Sequence, residues 1–377
     1  MNNIQLIQNT DISIEGKDRL YTLNYLRPFI KEDSQKIIVN VKTKAALLDT
    51  GENLFPVTIN FEEYENSYVC SPYTACVSYA KEEMSKLNNN LLEMLLSGIV
   101  NVLSLFLKKA TINKIVSVNN WLLSTNLYAQ WNERNIPEIK TFLIQNFSDH
   151  AIMFRSLNRH SNPDLLDEFK DSGFILVPSR QVYIFDMRLH NYLDRHNTQI
   201  DLKLLNKTKY KIVDHHDITE DDYPRIVELY NFLYLEKYSY HNPQFTRTCI
   251  ANWHQGKLLY MKGLRNADGI LDGIIGCFEK NGITSAPLVG YDTNISRNIG
   301  LYRMLIALIL QRAAENDLVL NLSSGAADFK RMRGGTPFIE YSAVYIRHLP
   351  LGKRIIWGVT NFLLTNVGVP LMKAFKL

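Results

Sequence analysis

Between Ser285 and His348 the sequence gathers residue types that could hold an anion and handle a proton. A polar loop, Thr293-Asn-Ile-Ser-Arg-Asn-Ile-Gly300, brings Arg297 and Asn298 to Gly300, just ahead of a helical pattern. Glycine lets a backbone approach a ligand closely, and a helix start presents unpaired N–H groups with partial positive charge. A second loop, Ser323-Ser-Gly325, leads to a short basic segment with Phe329, Lys330, Arg331 and Arg333, closed by Gly334-Gly335. Asp292 ends an apolar run, and Glu340 and Tyr341 lie on the last predicted strand; all three could take or return a proton. Other chemistries are poorly served. Ser323 lacks the Gly-x-Ser-x-Gly elbow of serine hydrolases. His215-His216 and His348 lack helical metal-ligand spacing, so no metal site is expected. Cys70, Cys76, Cys249 and Cys277 form no CxxC pair and read as reduced thiols.

The elements that must position these groups follow from periodicity. Lys209–Val213 reads as a strand, and Asp221–Tyr234 and Pro243–His254 as helices. Leu258–Lys262 and Gly273–Phe278 read as a hairpin across Asn266-Ala-Asp-Gly269. Ala286–Asp292 is a buried strand. Leu301, Met304, Leu305, Leu308 and Ile309 form the apolar stripe of an amphipathic helix. Leu318–Leu322 and Phe338–Arg347 are the last strands. The sum is β-α-α-β-β-β-α-β-α-β.

With Gly290-Tyr-Asp292, Arg297-Asn-Ile-Gly300, Gly325 and Phe329-Lys330 placed in that order, residues 200–350 resemble the GNAT acyltransferase superfamily. They are more closely similar to the tandem GNAT proteins related to the FemAB peptidoglycan aminoacyltransferases. The resemblance implies an α/β (α+β mixed-sheet) fold of tandem GNAT-like domains, each a twisted mixed sheet flanked by helices. It also implies a donor site at Arg297, Asn298, Gly300, Ser323, Gly325 and Phe329. The superfamily loop runs Arg/Gln-x-x-Gly-x-Gly/Ala. Arg297 and Gly300 match it, but Tyr302 stands in the last small place, which counts against CoA itself. In the FemAB relatives a Phe-Lys pair holds an ammonium near the donor; Lys330 would then stabilise the oxyanion that forms as an amine attacks an ester or thioester. Asp292 is the preferred proton acceptor, because strand ends open into the splayed cleft of this fold. Tyr341 could return the proton to the leaving group.

The first half repeats the pattern weakly. Lys36–Leu48, Pro56–Phe61, Ser67–Cys70 and Ile112–Val118 read as strands, Glu83–Lys109 as a long helix started near Asn88-Asn-Asn90, and Ile136–Phe147 as another helix. Ala151–Phe154, Asp164–Lys170 and Val177–Met187 then follow as strand, helix and strand, with Tyr183 placed as Tyr345 is, each between Val and Ile. The predicted domains are 1–188, degenerate and on the scaffold or acceptor side; 189–352, for donor binding and catalysis; and an apolar tail, 353–377. The first copy lacks an Arg-x-x-Gly loop and carries Trp121-Leu-Leu instead.

A chain of 377 residues, 46% hydrophobic with net charge +4, fits two globular domains and is too weakly basic to indicate nucleic acid. Met1–Gln8 is polar, so no secretory leader is expected. The tail sets Lys353-Arg354, Lys373 and Lys376 around an apolar run with Trp357. Two placements fit: an interfacial helix, which would suit a lipid acceptor or product, or a helix docked across the first domain that buries the same side chains and ends at Gly368-Val-Pro370. Docking is the preferred reading.

Two functions remain. One is a cytoplasmic N-acyltransferase, with the inner membrane face as a peripheral location. It would move an acyl or aminoacyl group directly from acyl-CoA, acyl carrier protein or aminoacyl-tRNA to an amine-bearing small molecule or lipid, with no permanently bound cofactor. The other is a non-catalytic binding or scaffold protein on the same fold.

Overall fold

Twelve strands form among residues 4–84, 90–130 and 135–375, the residues described by the computed structural model. They are β1 (Gln5–Ile7), β2 (Lys44–Asp49), β3 (Leu54–Asn60), β4 (Ile115–Val118), β5 (Ala151–Asn158), β6 (Ile175–Phe185), β7 (Lys211–Val213), β8 (Tyr260–Arg265), β9 (Leu271–Lys280), β10 (Ile283–Tyr291), β11 (Val319–Asn321) and β12 (Thr336–Tyr345).

The chain divides into two units. The first holds residues up to 35, 40–181 and from 338 onward; the second holds 36–39 and 182–337. In the first, the strand order is β1-β2-β3-β4-β5-β12, antiparallel except for the parallel pair β4/β5. In the second, the order is β7-β8-β9-β10-β11 followed by the end of β6, antiparallel except for the parallel pair β10/β11. The two orders are the same. Each unit is a mixed sheet flanked by helices, and the chain is a tandem of two such folds, as its resemblance to tandem GNAT proteins implies.

The closing strands are exchanged between the halves of the sequence. β12, read from sequence with the second domain, completes the first unit, and Val182–Phe185 of β6 completes the second. Both strands carry Val-Tyr-Ile (Val182–Ile184 and Val344–Ile346), so the side-chain pattern of either suits either sheet.

Several predicted elements are shorter or different. Lys36–Leu48 is a strand only from Lys44. Before it, Ser34–Ile37 is helical, and Ile37 and Val39 bind Thr246 and Gln244 of the second unit's own chain. Ser67–Cys70 is a turn, closed by Cys70 N–H on the Ser67 carbonyl, because the neighbouring Asn66 and Ser67 bind Lys42 and Asn40 instead of a strand. The long helix is described from Asn90 to Lys109; its predicted start near Asn88 lies outside the described residues. The helix Leu301–Glu315 holds its predicted stripe of Leu301, Met304, Leu305, Leu308 and Ile309, and buries Ile306, Ala307, Leu310 and Ala313 as well. Each fully buried leucine or isoleucine there contributes about 2 kcal/mol, which makes this helix the centre of the second unit's core.

Candidate functional site

The second unit's site begins where its parallel strands cease to pair. β10 and β11 are joined only at Ile283↔Val319, Thr284↔Leu320 and Ser285↔Asn321. Past that rung β10 is bulged between Ser285 and Leu288. Pro287 lies inside the bulge, where a missing N–H costs no ladder bond. The chain after β11 turns to β6 instead: Leu322 N–H binds the Tyr183 carbonyl, and Tyr183 N–H binds that of Ser323. Two strand ends are thus left to diverge. At the last rungs the hydroxyls of Thr284 and Ser285 are buried with no hydrogen-bond partner.

One wall comes from Tyr223–Asn231, a helix, and the π-helical turn Phe232–Glu236 that continues it. Gly290 explains how close they come. A Cβ there would lie 2.5 Å from the backbone of Leu229 and Tyr230. Asp292, just beyond, does not stand ready as a base. Its carboxylate accepts from Arg225 Nη2 at 2.6 Å and from the Asn294 N–H at 2.9 Å. Burial alone would raise its pKa, but these bonds and the Arg225 charge outweigh burial and hold it below the usual range. At neutral pH it is a committed ion-pair partner.

The predicted donor loop folds as a single 3-10 turn, Arg297–Ile299, with Arg297 and Asn298 exposed. Gly300 opens the helix Leu301–Glu315 at φ +78°, the left-handed region. A Cβ at Gly300 would also come within 2.6 Å of Leu204 Cδ2. The glycine is therefore required by the fold before any ligand is considered. Gly300→Ala is expected to destabilise the protein by about 2 kcal/mol or more, from φ and from contact. Adding Leu204→Ala to both backgrounds should remove the contact part and leave roughly 1 kcal/mol for φ. Equal costs in the two backgrounds would place the whole effect in φ.

Tyr302, in the small place of the expected loop, packs its ring 4.9 Å from Phe329 and 5.9 Å from Tyr291. Its hydroxyl is pushed well above the usual tyrosine value by burial first, then by Tyr238, Tyr234 and Tyr291, so it stays neutral. Arg333 lies over the Phe329 ring at 3.4 Å, turned inward rather than to solvent. It is held by Asp201, which is 0% exposed and accepts from Arg333 Nε at 2.5 Å and Arg303 Nε at 2.6 Å.

Lys330 is placed against the expectation for a lysine on a short basic helix. It is 4% exposed, and its ammonium donates to the carbonyls of Leu322 (2.7 Å), Ser324 (2.7 Å) and Ser323 (3.3 Å). Those carbonyls belong to a loop with three left-handed residues, Ser323, Gly325 and Ala326. Lys330 clamps that strained loop at the end of β11. Arg297, Asn298, Gly300, Ser323, Gly325, Phe329, Lys330 and Asp292 all belong to the second unit. Tyr341 is not with them: it lies on β12 in the first unit, half-buried against that unit's core.

The corresponding place in the first unit is filled. β4 and β5 pair in parallel as far as Val118↔Phe154, and just past that rung the Asn126 N–H binds the Ser156 hydroxyl and the Tyr128 hydroxyl binds the Arg155 carbonyl, with Trp121, Leu122 and Leu123 fully buried nearby in the chain. Glu340, the carboxylate on β12, is bound by Arg180 Nε at 2.8 Å. Arg180 also donates to Ser124 and Thr125, and Arg155 to the Val69 carbonyl and Asn120. Burial lowers the Arg155 pKa, yet a guanidinium so far above neutrality stays charged. This is a satisfied internal network, and Glu340 is part of it.

Three contributors escaped the sequence reading. Arg225 and Asp201 are ordinary helix residues by spacing, and nothing local marks their long-range partners. Tyr302 carried a signal, the bulky residue in a small place, but its packing against Phe329, with the rings tilted, needed the fold.

Neither a family model nor a curated sequence matches the chain. Solved structures are similar at low identity. The C-terminal domain of a putative lysylphosphatidylglycerol synthetase from Agrobacterium fabrum is 12% identical, over 62% of this chain and 79% of that one, with a TM-score of 0.44. L-PGS from Bacillus licheniformis is 13% identical, over 61% and 78%, with a TM-score of 0.45. FemX is 9% identical, over 59% and 78%, with a TM-score of 0.47. At that level the function has to rest on the site itself.

Proposed function

We propose that the chain is an N-acyltransferase that moves an acyl or aminoacyl group from a carrier to an amine by direct transfer in the second unit. The observation that supports this most is the unpaired divergence of β10 and β11 beyond Ser285 and Asn321, with a helix start on one side and the Lys330 clamp on the other. An extended thioester or ester arm can pair with free strand edges as another strand would. Lys330, whose three donors are taken by backbone carbonyls, would act only through its charge near the end of β11, where a donor carbonyl would gather negative charge. Among the described residues no activated nucleophile accompanies it, which favours attack by the neutral acceptor amine on the donor carbonyl, the C–S or C–O bond to the carrier breaking and the carrier leaving as the thiol or alcohol with the proton the amine gives up. Asp292 holds Arg225 in place and is not assigned the proton.

The Tyr302–Phe329 pair occupies the place a CoA-binding loop keeps small. Acyl carrier protein or aminoacyl-tRNA therefore fits this reading better than acyl-CoA as the donor. The test incubates the protein with each of the three donors and an amine panel that includes amino lipids, and detects the amide by mass spectrometry. Amide formed with any donor supports the proposal; a folded protein that forms none with all three contradicts it.

A second reading, a binding protein without catalysis, is favoured by the commitment of Asp292 to Arg225 and by the filled first cleft. It predicts that a donor raises the melting temperature while no amide appears.

A further inference from the structure

In water a surface helix turns its polar side outward. Two helices of the first unit do the reverse. Along Asn90–Lys109 the outward stripe is Leu91, Met94, Leu95, Val102, Leu105 and Phe106, each more than half exposed. Ser97 and Ser104 lie on its better-covered side, with Ser104 bonded to Tyr73, and Leu107 is fully buried. The tail is continuous from Leu351 through a π-helical turn to Phe375, so Gly368-Val-Pro370 does not end it. Its inward residues are Trp357 and Thr360, buried at 4% and 0% exposure, with Ile356 and Leu364 packed beside them. Its outward residues Leu351, Ile355, Val359 and Phe362 remain exposed. Docking therefore holds for one side of the tail only.

The two helices rest on one core: Leu107, Val100 and Leu103 share a cluster with Trp357, Ile356 and Leu364. Lys353 Nζ also binds the Thr111 hydroxyl, just past the end of the first helix, at 2.7 Å. The basic ends of the two helices are thus brought together, Lys108 and Lys109 with Lys353 and Arg354. Across both helices the only acidic residue is Glu93, on the covered side, against five basic ones with Lys373.

We infer that these two helices form one face that seats the protein on an anionic lipid surface. Apolar side chains enter the acyl boundary and the exposed Lys109, Arg354 and Lys373 meet the headgroups, while Lys108 lies over Tyr64 and Tyr73 and Lys353 is bound to Thr111. The charge decides between occupants. A second copy would bring no exposed acidic residue of this face to pair with its basic ones, whereas anionic headgroups complement them. Tail length and mean hydropathy of 1.4 would suffice to cross a bilayer. The buried Trp357 and the Lys353–Thr111 bond instead hold the helix along the unit, lying on the membrane rather than through it.

Because Trp357 is core, deleting the tail would unfold the unit whatever the face does, so the test uses exposed positions. Full-length protein is sedimented with phosphatidylcholine vesicles with and without phosphatidylglycerol, beside Leu105→Glu/Phe362→Glu and Lys109→Glu/Arg354→Glu variants of unchanged melting temperature. The wild type should pellet with the anionic vesicles. Each variant should lose about tenfold or more in partitioning, the charge-reversed one because each basic residue contributes about 1 kcal/mol at an anionic surface. Wild type that stays in the supernatant, or variants that pellet equally, would overturn the inference. So would a solution dimer abolished by Leu105→Glu/Phe362→Glu with no vesicle binding, which would assign the face to a second copy.

Discussion

Asp201→Ala is expected to cost about 3–5 kcal/mol, the usual penalty for stripping a buried charge of its partner. Asp201 is fully buried between two guanidinium groups. The side chain of Arg303 is 36% exposed and can turn to water, so its loss contributes little. The Arg333 side chain is only 7% exposed and cannot turn away. Its guanidinium also stacks on Phe329 and donates to the Phe329 carbonyl, so the unpaired charge stays under the short helix that carries Lys330. Calorimetry should show a fall of roughly 10 °C or more in the transition of the second unit. Removing both charges, in Asp201→Leu/Arg333→Met, should recover part of the loss, since an apolar pair of similar volume carries no desolvation penalty. A single-variant cost below about 1 kcal/mol would mean that Arg333 finds water, and that the brace between the helix His196–Lys207, which carries Asp201, and the short one is unimportant.

Lys330→Met is expected to act on stability and on transfer together. A lysine on a helix surface could be lost at almost no cost in stability. The buried ammonium here satisfies three backbone carbonyls, and leaving those unmet costs about 3 kcal/mol or more. The loop it clamps has three residues at positive φ, two of them not glycine, so release of the clamp should also let the end of β11 relax. Turnover, measured well below the lowered melting temperature, should fall by about 10² if the charge stabilises the oxyanion. Lys330→Arg separates the two effects. It keeps the charge, but a planar fork does not direct three donors at three carbonyls as an ammonium does. A Lys330→Met protein with unchanged melting temperature would contradict the buried clamp; full turnover in a destabilised one would leave Lys330 a positioning residue only.

What could be read in the sequence was what depends on local pattern. The stripe from Leu301 to Ile309 specified its helix because every fourth or third residue had to be apolar to reach one core. The repeated order of elements was legible for the same reason. The exchange of β6 and β12 was not, because Val182-Tyr183-Ile184 and Val344-Tyr345-Ile346 present equivalent faces to either sheet. Gly300 was singled out for a ligand, whereas the fold itself requires it for its left-handed φ, with Leu204, nearly a hundred residues earlier in the chain, adding a close side-chain contact. Asp292 and Lys330 show the main limit: their types suit acid–base and electrostatic work, while their burial and partners, Arg225 and the Leu322–Ser324 carbonyls, come from distant or strained backbone. The tail was half legible, since composition gives its apolar character but not which side Trp357 turns inward.

A donor arm that enters between β10 and β11 must cover the backbone on both sides of that opening. Amide hydrogen exchange on the full-length protein, with and without acyl-CoA, an acyl carrier protein thioester or a non-hydrolysable aminoacyl-tRNA in turn, tests it most directly. At least one donor is expected to slow exchange in residues 286–292, 297–302 and 322–330 and to leave residues 119–128 of the first unit unchanged. Slowing confined to 119–128, or none with any of the three donors, would contradict it.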